Sequence, residues 1–332
     1  MKQFGTGIAL IGSGSYTPDR TITNEDLSHL VDTNDEWITT RTGIKSRHVA
    51  PENVSLSQLG AEAARKAIAM AGIKPEQIDL IILATSTADD LFGSACQIQH
   101  LIGAHQAVAF DLTAACSGFV FGLVTASQFL RTGAYRHCLV IGADVLSRWV
   151  DWSDRGTCIL FGDGAGAVVC KATEDQDSLL GFDLHSNGAQ NSSLNLAYEG
   201  HPHYLINDVT ITQGRYQPIT MNGKEVYRFA VEKVPEVIEK TLFKTDLAIE
   251  DIDWLVLHQA NQRIISTVAQ RLGMDEKKVI VNLDQYGNTS AASIPLALDE
   301  AIRKGQVKKG DTIAAAGFGA GLSWGAAIFK WG

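Results

Sequence analysis

The sequence predicts an α/β fold built from two duplicated halves. Continuous apolar runs alternate with helix-like segments, which is the pattern of strands buried on both faces beneath covering helices. KPEQIDLIILAT, from Lys74, is matched by AIEDIDWLVLHQ, from Ala248, about 170 residues later. Each has a short acidic turn, then Ile-Asp, then an apolar run. Matching order and spacing indicate duplication with a site between the halves, and chance similarity of two βαβ units is the alternative.

The first half, residues 1–175, opens with a predicted strand in MKQFGTGIALIGSGS. Its apolar run is too short and too glycine-interrupted for a signal peptide. A helix is predicted over 59–71, before the strand of the first matched run. A helix over 95–102 and a strand over 107–112 follow. This order places Cys116 just beyond the end of a buried strand.

The second half, residues 176–332, repeats that order. A helix is predicted over 226–242, a strand within 248–259, a helix over 262–272 and a strand over 278–283. Asn288 then occupies the place that Cys116 holds in the first half. GDGAGA, at 162–167, lacks the context of a dinucleotide-binding loop, so it is predicted to be buried strand packing.

Composition narrows the functional class. The chain has 332 residues, of which 45% are hydrophobic and 20% charged, as in globular domains. Its net charge of −9 disfavours nucleic acid as a partner, because phosphates require a basic surface. Two uncharged stretches, 112–130 and 312–329, contain several Gly, Ser and Thr residues and are predicted to be buried core rather than membrane spans.

The five cysteines predict a reducing, cytoplasmic location. Their number is odd and no pair has the CxxC spacing, which disfavours a disulfide framework and a zinc ribbon. Four are predicted to be buried structural thiols, as most cysteines are: Cys96, Cys138, Cys158 and Cys170.

Cys116 has the local setting of a nucleophile. The segment DLTAACSGFVF, from Asp111, runs from a strand end through small residues into a helix-like stretch. A helix N-terminus beside the sulfur would favour the thiolate, which is the nucleophilic form. The backbone N–H of Cys116 could also hold a developing oxyanion. A buried structural cysteine remains the alternative from this segment alone.

His258 and Asn288 are polar residues at comparable positions in the second half. His258 lies where an apolar strand runs into a polar turn, the end of a parallel strand at which α/β folds place ligands. A neutral imidazole and an amide N–H could together stabilise an enolate oxygen. The alternatives are a strand-end histidine bonded to backbone and a turn or cap asparagine.

Several long segments in order resemble the β-ketoacyl-acyl-carrier-protein synthase III family of the thiolase superfamily. They are VDTNDEWITTRTGI from Val31, AACSGF from Ala114, DRGTCILFGDGAGA from Asp154, HQANQRI from His258, YGNTSAASIP from Tyr286 and GFGAGLSWG from Gly317. The resemblance covers essentially the whole chain. It implies a thiolase-like five-layer αβαβα fold.

The resemblance also implies a role for each matching residue. It implies a catalytic triad of Cys116, His258 and Asn288, with oxyanion N–H groups from Cys116 and Ala320. It implies coenzyme A binding by Thr33, Trp37, Arg41, Arg155, Gly156 and Asn261. It implies docking of the carrier protein on Gln259, Ala260, Asn261, Gln262 and Arg263, and an acyl pocket near Tyr227, with Phe92 near the acyl pocket of the neighbouring subunit.

The implied reaction begins with transfer of an acyl group, with acetyl as the expected starter, from coenzyme A to Cys116. Decarboxylation of malonyl-acyl carrier protein then yields a carbanion that attacks the thioester. No metal or redox cofactor is expected. Acyl-coenzyme A, acyl carrier protein and a second copy of the chain are the expected partners, with the segment from Gly93 reaching the other subunit.

The chain departs from the family pattern near the acyl site. Ala320 and Leu322 stand where glycine and phenylalanine are common, and Tyr227 and Lys224 also differ. These departures bear on acyl-chain preference more than on the reaction. The alternatives are a related synthase or acyltransferase with another starter or acceptor, such as a polyketide-type enzyme, a cysteine hydrolase and a non-catalytic acyl-binding scaffold.

Overall fold

The computed structural model describes residues 7–174 and 177–332, which form two main β-sheets with helices between and outside them. The first half contains β1 (Gly7–Tyr16), β2 (Thr21–Thr23), α1 (Asn24–Ser28), α2 (Asp35–Thr42), β3 (Ser46–His48), α3 (Leu56–Ala71), β4 (Leu80–Ala84), α4 (Ala95–Ile102), β5 (Val108–Leu112), α5 (Gly118–Arg131), β6 (His137–Val145) and β7 (Asp163–Thr173). The second contains β8 (Leu179–Ser186), β9 (Leu194–Asn195), β10 (Tyr198–Ile206), β11 (Val209–Tyr216), β12 (Thr220–Met221), α6 (Gly223–Thr245), β13 (Trp254–Leu257), α7 (Gln262–Leu272), α8 (Leu283–Tyr286), α9 (Ser293–Arg303), β14 (Thr312–Gly319) and β15 (Ser323–Lys330). The predicted boundary between residues 175 and 176 lies outside the described residues.

The four strands of the second main sheet follow the order of the first four strands of the first, as the internal repeat predicts. The first has the order β1-β7-β6-β4-β5, and the second has β8-β15-β14-β13. In each, the first three strands are antiparallel neighbours and the next pairing is parallel. The matched runs also agree in detail, since a 3-10 turn precedes β4 and another precedes β13.

Three helical layers and two sheets give the five-layer αβαβα arrangement. Helices α3 and α4 cover the outer face of the first sheet, and α6 and α7 cover the outer face of the second. Helices α5 and α9 lie between the sheets and contact strands of both. Each helical layer has its own apolar core, so burial of both sheet faces explains the continuous apolar runs.

Most predicted elements form close to their expected bounds, because local signals fix their ends. Helix α3 begins after a capping box of Ser55 and Gln58 and ends at Gly72, which has a left-handed φ of 66°. The predicted strand over 278–283 is wrong. Val279 forms a single parallel bridge with Leu255, and the chain then turns into α8.

Two further expectations can be compared with the structure. The GDGAGA segment is buried strand, as predicted, and it forms the beginning of β7. Cys96 is exposed on α4, so its assignment as a buried thiol is wrong, whereas Cys138, Cys158 and Cys170 are buried. Within residues 7–174 and 177–332, every helix is too short or too polar to cross a bilayer.

Candidate active site

Cys116 lies at a sharp turn between β5 and α5. A 3-10 turn, Ala115–Ser117, joins the strand to the helix, and Ala115 has a φ of +46°, in the left-handed region. A non-glycine residue in that region is strained and is held there by its surroundings. The turn leaves Cys116 at the base of a cavity with 8% of its surface exposed.

The end of β14 is pressed against the backbone of Cys116. A Cβ atom added to Gly319 would lie 2.6 Å from the Cys116 nitrogen, so only glycine fits there. Ala320 follows directly, at the turn into β15. The structure therefore brings the two predicted oxyanion donors into one neighbourhood, and their role in catalysis stays a prediction.

Burial controls the protonation of Cys116. It raises the pKa of the thiol to about 12, and the nearby charge of Asp144 acts in the same direction. The Ser290 hydroxyl, whose Oγ lies 3.3 Å from the Cys116 Sγ, opposes this by hydrogen bonding. The helix N-terminus that favours the thiolate is present at the start of α5, and desolvation acts against it.

His258 lies just beyond β13 and is 2% exposed. Its backbone N–H donates to the Ala316 oxygen at 2.9 Å, and its ring packs edge-on against Phe318. Burial lowers the pKa of His258 to about 3, so the imidazole is neutral at physiological pH. A neutral imidazole can donate a hydrogen bond from only one nitrogen, and its neighbours decide which.

Ser293 fixes the tautomer of His258. The Ser293 Oγ lies 2.7 Å from Nδ1 of His258 and also accepts the backbone N–H of Gln259 at 3.3 Å. Nδ1 is the one acceptor found for the Ser293 hydroxyl proton among the described residues, so the buried O–H is satisfied when it donates to Nδ1. The imidazole proton is then on Nε2 and available to a ligand.

The amide of Asn288 is oriented by the backbone of its own segment. Its Oδ1 accepts the Ser290 N–H at 2.9 Å. Its main chain exchanges two hydrogen bonds with the loop before β7, to the Leu160 oxygen and from the Gly162 N–H. Fixing Oδ1 in this way leaves Nδ2 as the group that can donate to a ligand.

One cavity of about 530 Å³ joins the three predicted catalytic residues to several predicted ligand contacts. Its wall includes Cys116, His258, Asn288, Arg41, Gly156, Tyr227, Ala260, Asn261 and Arg263. The remaining wall is mainly apolar and includes Phe161, Leu194, Met221 and Phe318. A mainly apolar cavity with a few fixed donors is a typical small-ligand site.

The predicted nucleotide contacts cluster around Trp37. The guanidinium carbons of Arg41 and Arg155 lie 4.5 and 4.8 Å from the centre of the indole ring. The Arg155 Nη1 donates to the Asp32 oxygen at 2.8 Å, and the Thr33 hydroxyl is buried without a hydrogen-bond partner. An aromatic ring and two cations suit a base and its phosphates.

The predicted docking segment divides into a buried part and an accessible part. Gln259 is 1% exposed and its amide bonds to Leu257, Ile280 and Asn282, so its predicted contact with a carrier protein does not fit. Asn261 caps α7, and Arg263 is exposed at the cavity.

The two predicted acyl-pocket residues lie in different places. Tyr227 lines the cavity, where its hydroxyl is 3.2 Å from the Thr267 Oγ1. Phe92 is 99% exposed and is not among the described residues that line this cavity. It can therefore serve an acyl pocket only in another copy of the chain.

Sequence reasoning missed Ser290, Ser293 and Phe318 as parts of the site. Ser290 and Ser293 lie two and five residues after Asn288, within the motif YGNTSAASIP. Their hydroxyls point at Cys116 and His258, respectively. Proximity to Asn288 was the only sequence signal, because serine is common in turns and helix starts.

Comparison with known proteins reveals close relatives. Residues 110–188 match the family described as 3-oxoacyl-[acyl-carrier-protein (ACP)] synthase III, and residues 242–331 match the C-terminal family of the same enzyme. The β-ketoacyl-[acyl-carrier-protein] synthase III of Microcystis aeruginosa is 65% identical over the full length of both chains.

Solved structures of similar proteins indicate the same family. The 3-oxoacyl-[acyl-carrier-protein] synthase III of Aquifex aeolicus is 43% identical with a TM-score of 0.90, covering 98% of this chain and 100% of that one. A priming β-ketosynthase from a polyketide pathway has the same TM-score at 34% identity, covering 98% and 97%. The fold alone does not separate these two activities. The higher sequence identity to the Aquifex aeolicus enzyme favours the synthase III family.

Proposed function

The chain belongs to the β-ketoacyl-[acyl-carrier-protein] synthase III family, and we propose that it initiates fatty acid synthesis. The proposed reaction joins an acyl-coenzyme A starter, acetyl in the first instance, to malonyl-acyl carrier protein with loss of carbon dioxide. The product is a 3-oxoacyl-acyl carrier protein. The observation that carries this proposal is the convergence of Cys116, His258 and Asn288 on one cavity.

In the first half-reaction, Cys116 takes the acyl group. The sulfur attacks the thioester carbonyl, and the oxyanion that forms accepts hydrogen bonds from the N–H groups of Cys116 and Ala320. Collapse expels coenzyme A and leaves a thioester on Cys116. Trp37, Arg41 and Arg155 lie together beside the cavity wall, where they would hold the nucleotide end.

In the second half-reaction, His258 and Asn288 hold the malonyl thioester oxygen. Nε2–H of His258 and Nδ2–H of Asn288 are the donors left free by their neighbours. They stabilise the enolate that appears as carbon dioxide leaves. The carbanion then attacks the Cys116 thioester. Decarboxylation drives the step, so the scheme uses no metal or redox cofactor.

Intact-protein mass spectrometry after brief mixing with acetyl-coenzyme A tests this proposal. An acetyl adduct that peptide mapping places on Cys116 is the expected result, and Cys116→Ala protein should form none. Longer and branched acyl thioesters extend the panel. Absence of an adduct with every thioester, or wild-type condensation by the Cys116→Ala variant, would contradict the proposed mechanism.

A cationic rim around the cavity supports docking of an acidic carrier protein. Lys224, Arg228 and Arg263 are exposed at the cavity wall of a chain whose net charge is −9. No ion pair involving these three is found among the described residues. Unneutralised cations at a mouth steer an acidic partner to it.

A homodimer is also proposed. Strand β5 is at the edge of the first sheet, pairs there with β4, and exposes Val108. Leu91 and Phe92 lie earlier in the same half of the chain, with 84% and 99% of their surface exposed. Exposed apolar residues beside an open strand edge favour pairing with a second copy. Light scattering showing a single species at the monomer mass of 35.8 kDa would contradict this.

The proposed location is the cytoplasm. All five cysteines are free thiols, and reduced thiols are typical of that compartment. Fractionation of the native host, with the chain detected by antibody, tests the location directly. Recovery from a secreted or membrane fraction would contradict it.

A further inference from the structure

Asn288 can donate to the malonyl oxygen only while its backbone is held in place. Its main chain bonds to the Leu160 oxygen at 2.9 Å and to the Gly162 N–H at 3.0 Å, and Phe161 forms a parallel bridge with it. Residues 155–160 form turns rather than a helix or a strand. The segment that supports Asn288 therefore needs an anchor of its own.

The guanidinium of Arg47, on β3, anchors that segment. Its Nη2 donates to the Ile159 oxygen at 2.8 Å, one residue before the oxygen that accepts the Asn288 N–H. The same nitrogen donates to the Asn24 Oδ1 at 2.9 Å, and Nη1 donates to the Ile22 oxygen at 3.1 Å. One side chain therefore joins the junction of β2 and α1 to the residues that support Asn288.

Arg47 also packs against the backbone on both sides of the Asn288 pairing. A Cβ atom added to Gly162 would lie 3.2 Å from the Arg47 Cβ, and one added to Gly287 would lie 3.3 Å from it. Gly287 directly precedes Asn288, and Gly162 directly follows the bridge of Phe161. Because Arg47 is fully buried against both strands of this pairing, a shift of its side chain is transmitted to Asn288.

The neighbours of Arg47 on β3 contact α8, the helix that leads towards the Asn288 segment. The Ser46 hydroxyl donates to the Gln285 oxygen at 2.9 Å. The His48 ring stacks on Tyr286, with ring centroids 5.2 Å apart. These contacts fix β3 against α8, so the guanidinium is held on a strand that is itself attached to the same part of the site.

Arg47 is a buried cation without a carboxylate partner. No ion pair of Arg47 is found in the part of the chain that the structure describes, and its Nε is buried there without a hydrogen-bond partner. Burial lowers the pKa of Arg47 to about 10, so the side chain is charged at neutral pH. An apolar side chain of similar volume would avoid the desolvation of a charge. What the guanidinium adds is a planar fork that fixes its oxygen acceptors relative to one another.

We propose that Arg47 is a positioning residue for condensation and that it acts through Asn288. By holding the Ile159 oxygen, Arg47 keeps the following residues where they bond to the Asn288 backbone. The Asn288 amide is then held where it can donate to the malonyl thioester oxygen as that oxygen becomes an enolate. Arg47 is not among the described residues that line the cavity, so it acts without touching the substrate.

A positioning arginine and a merely structural one predict different losses in the two half-reactions. The proposed acylation uses the N–H groups of Cys116 and Ala320, whereas condensation uses Asn288. General loosening of the fold slows both half-reactions, but displacement of Asn288 slows condensation alone. In an Asn288→Ala background the amide is absent, so replacing Arg47 slows condensation no further.

The experiment compares the purified wild-type chain with Arg47→Met and Arg47→Lys, each alone and combined with Asn288→Ala. Methionine removes the charge and the donors, and lysine keeps the charge but not the planar fork. The matched control is Arg131→Met. Arg131 also joins two parts of the chain, bonding to the Leu179 oxygen at 2.8 Å and to the Asp177 Oδ2 at 2.6 Å, but it lies at the C-terminal end of α5. Thermal unfolding confirms that each variant is folded.

Two rates are measured by mass spectrometry: single-turnover acetylation by saturating acetyl-coenzyme A, and condensation of the acetylated chain with saturating malonyl-acyl carrier protein. We expect Arg47→Met to lose about 30-fold in condensation, less than the roughly 100-fold loss expected when a donor is removed outright, while acetylation stays near the wild-type rate. Arg47→Lys should condense at a rate between those of Arg47→Met and the wild type. The Arg47→Met, Asn288→Ala double variant should condense as slowly as Asn288→Ala alone, and Arg131→Met should keep the wild-type ratio of the two rates.

Equal losses in both half-reactions, unchanged condensation by Arg47→Met, or losses that multiply in the double variant would overturn the proposal. Failure of both Arg47 variants to fold would also overturn it, because Arg47 would then serve the fold alone.

The inference rests on the proposed condensation, which fails separately if the wild-type chain forms no product. Nuclear magnetic resonance of the chain with isotopically labelled asparagine still decides the positioning in that case. The side-chain amide signal of Asn288, identified by its absence from Asn288→Ala, should shift in Arg47→Met and stay in place in Arg131→Met. A signal that stays in place in Arg47→Met would refute the role of Arg47.

Discussion

Replacing Ser293 with alanine should slow condensation while leaving acylation of Cys116 intact. The Ser293 hydroxyl donates to Nδ1 of His258 at 2.7 Å, and this contact keeps the imidazole proton on Nε2. Without it, the proton can move to Nδ1. The imidazole would then present an acceptor, rather than a donor, to the malonyl oxygen. The acylation step uses Cys116 and its own backbone N–H, so Ser293 does not affect it.

The size of the effect follows from the hydrogen bond that is lost. A buried hydrogen bond contributes about 0.5–1.5 kcal/mol net, and this sets the bias between the two tautomers. A change of about 1.4 kcal/mol corresponds to a tenfold change in rate. The expected loss in condensation is therefore about 10-fold, below the roughly 100-fold loss expected when the His258 donor is deleted outright.

The assay separates the two half-reactions. The chain is first acetylated with acetyl-coenzyme A, and its rate is read by mass spectrometry. Malonyl-acyl carrier protein is then added and product formation is timed. Thr241→Ala is the matched control, because the Thr241 hydroxyl is equally buried but bonds to Val237 within α6. Equal losses in both half-reactions, or unchanged condensation, would refute the reasoning.

Three further predictions concern the rim, the turn at the nucleophile and pH. Arg263→Glu should weaken condensation with carrier protein more than acylation by acyl-coenzyme A. Arg271→Glu, at the far end of α7, should not weaken condensation selectively. Equal losses in both half-reactions of Arg263→Glu would contradict this prediction. Gly319→Ala should abolish most acylation and destabilise the fold by about 1–3 kcal/mol in urea unfolding, because its Cβ would lie 2.6 Å from the Cys116 nitrogen. Burial lowers the pKa of His258 from 6.5 to about 3, so between these values the unfolded chain binds more protons. The free energy of unfolding should therefore fall as pH falls through that window, by up to about 1.4 kcal/mol per pH unit. His258→Gln should reduce this pH dependence. If the free energy of unfolding of His258→Gln depended on pH as steeply as that of the wild type, the imidazole would not be neutral and buried.

Local patterns were sufficient to predict the architecture. The matched runs from Lys74 and Ala248 correctly predicted corresponding strands in two sheets whose matching strands follow the same order. Apolar runs are reliable here because both sheet faces are covered by helices, so each strand is buried on both sides. The failure over 278–283 has a physical reason. An apolar run specifies burial, and tertiary contacts decided that only Val279 would pair with Leu255.

The site was predictable where a motif placed a residue at a strand end, and less so where the fold turned a side chain inward. Cys116, His258 and Asn288 converge as the repeat implies. Gln259 is next to His258 in sequence, yet the oxygen and the nitrogen of its side-chain amide are both hydrogen-bonded within the protein. The contact of Ser290 with Cys116 spans 174 residues, so the proximity of Ser290 to Asn288 was its only sequence signal.

Burial changes the protonation of Cys116 and His258 in opposite directions that bear on the two half-reactions. The same burial raises the pKa of the Cys116 thiol and lowers that of His258, because each charged form loses its hydration. A neutral His258 still donates one hydrogen bond, from Nε2, to an enolate oxygen, but it is a poor base for a thiol. The burial that keeps His258 neutral therefore suits it to hold the malonyl thioester oxygen in the second half-reaction. Activation of Cys116 is left to the groups beside the sulfur itself, which are the N-terminus of α5 and the Ser290 hydroxyl.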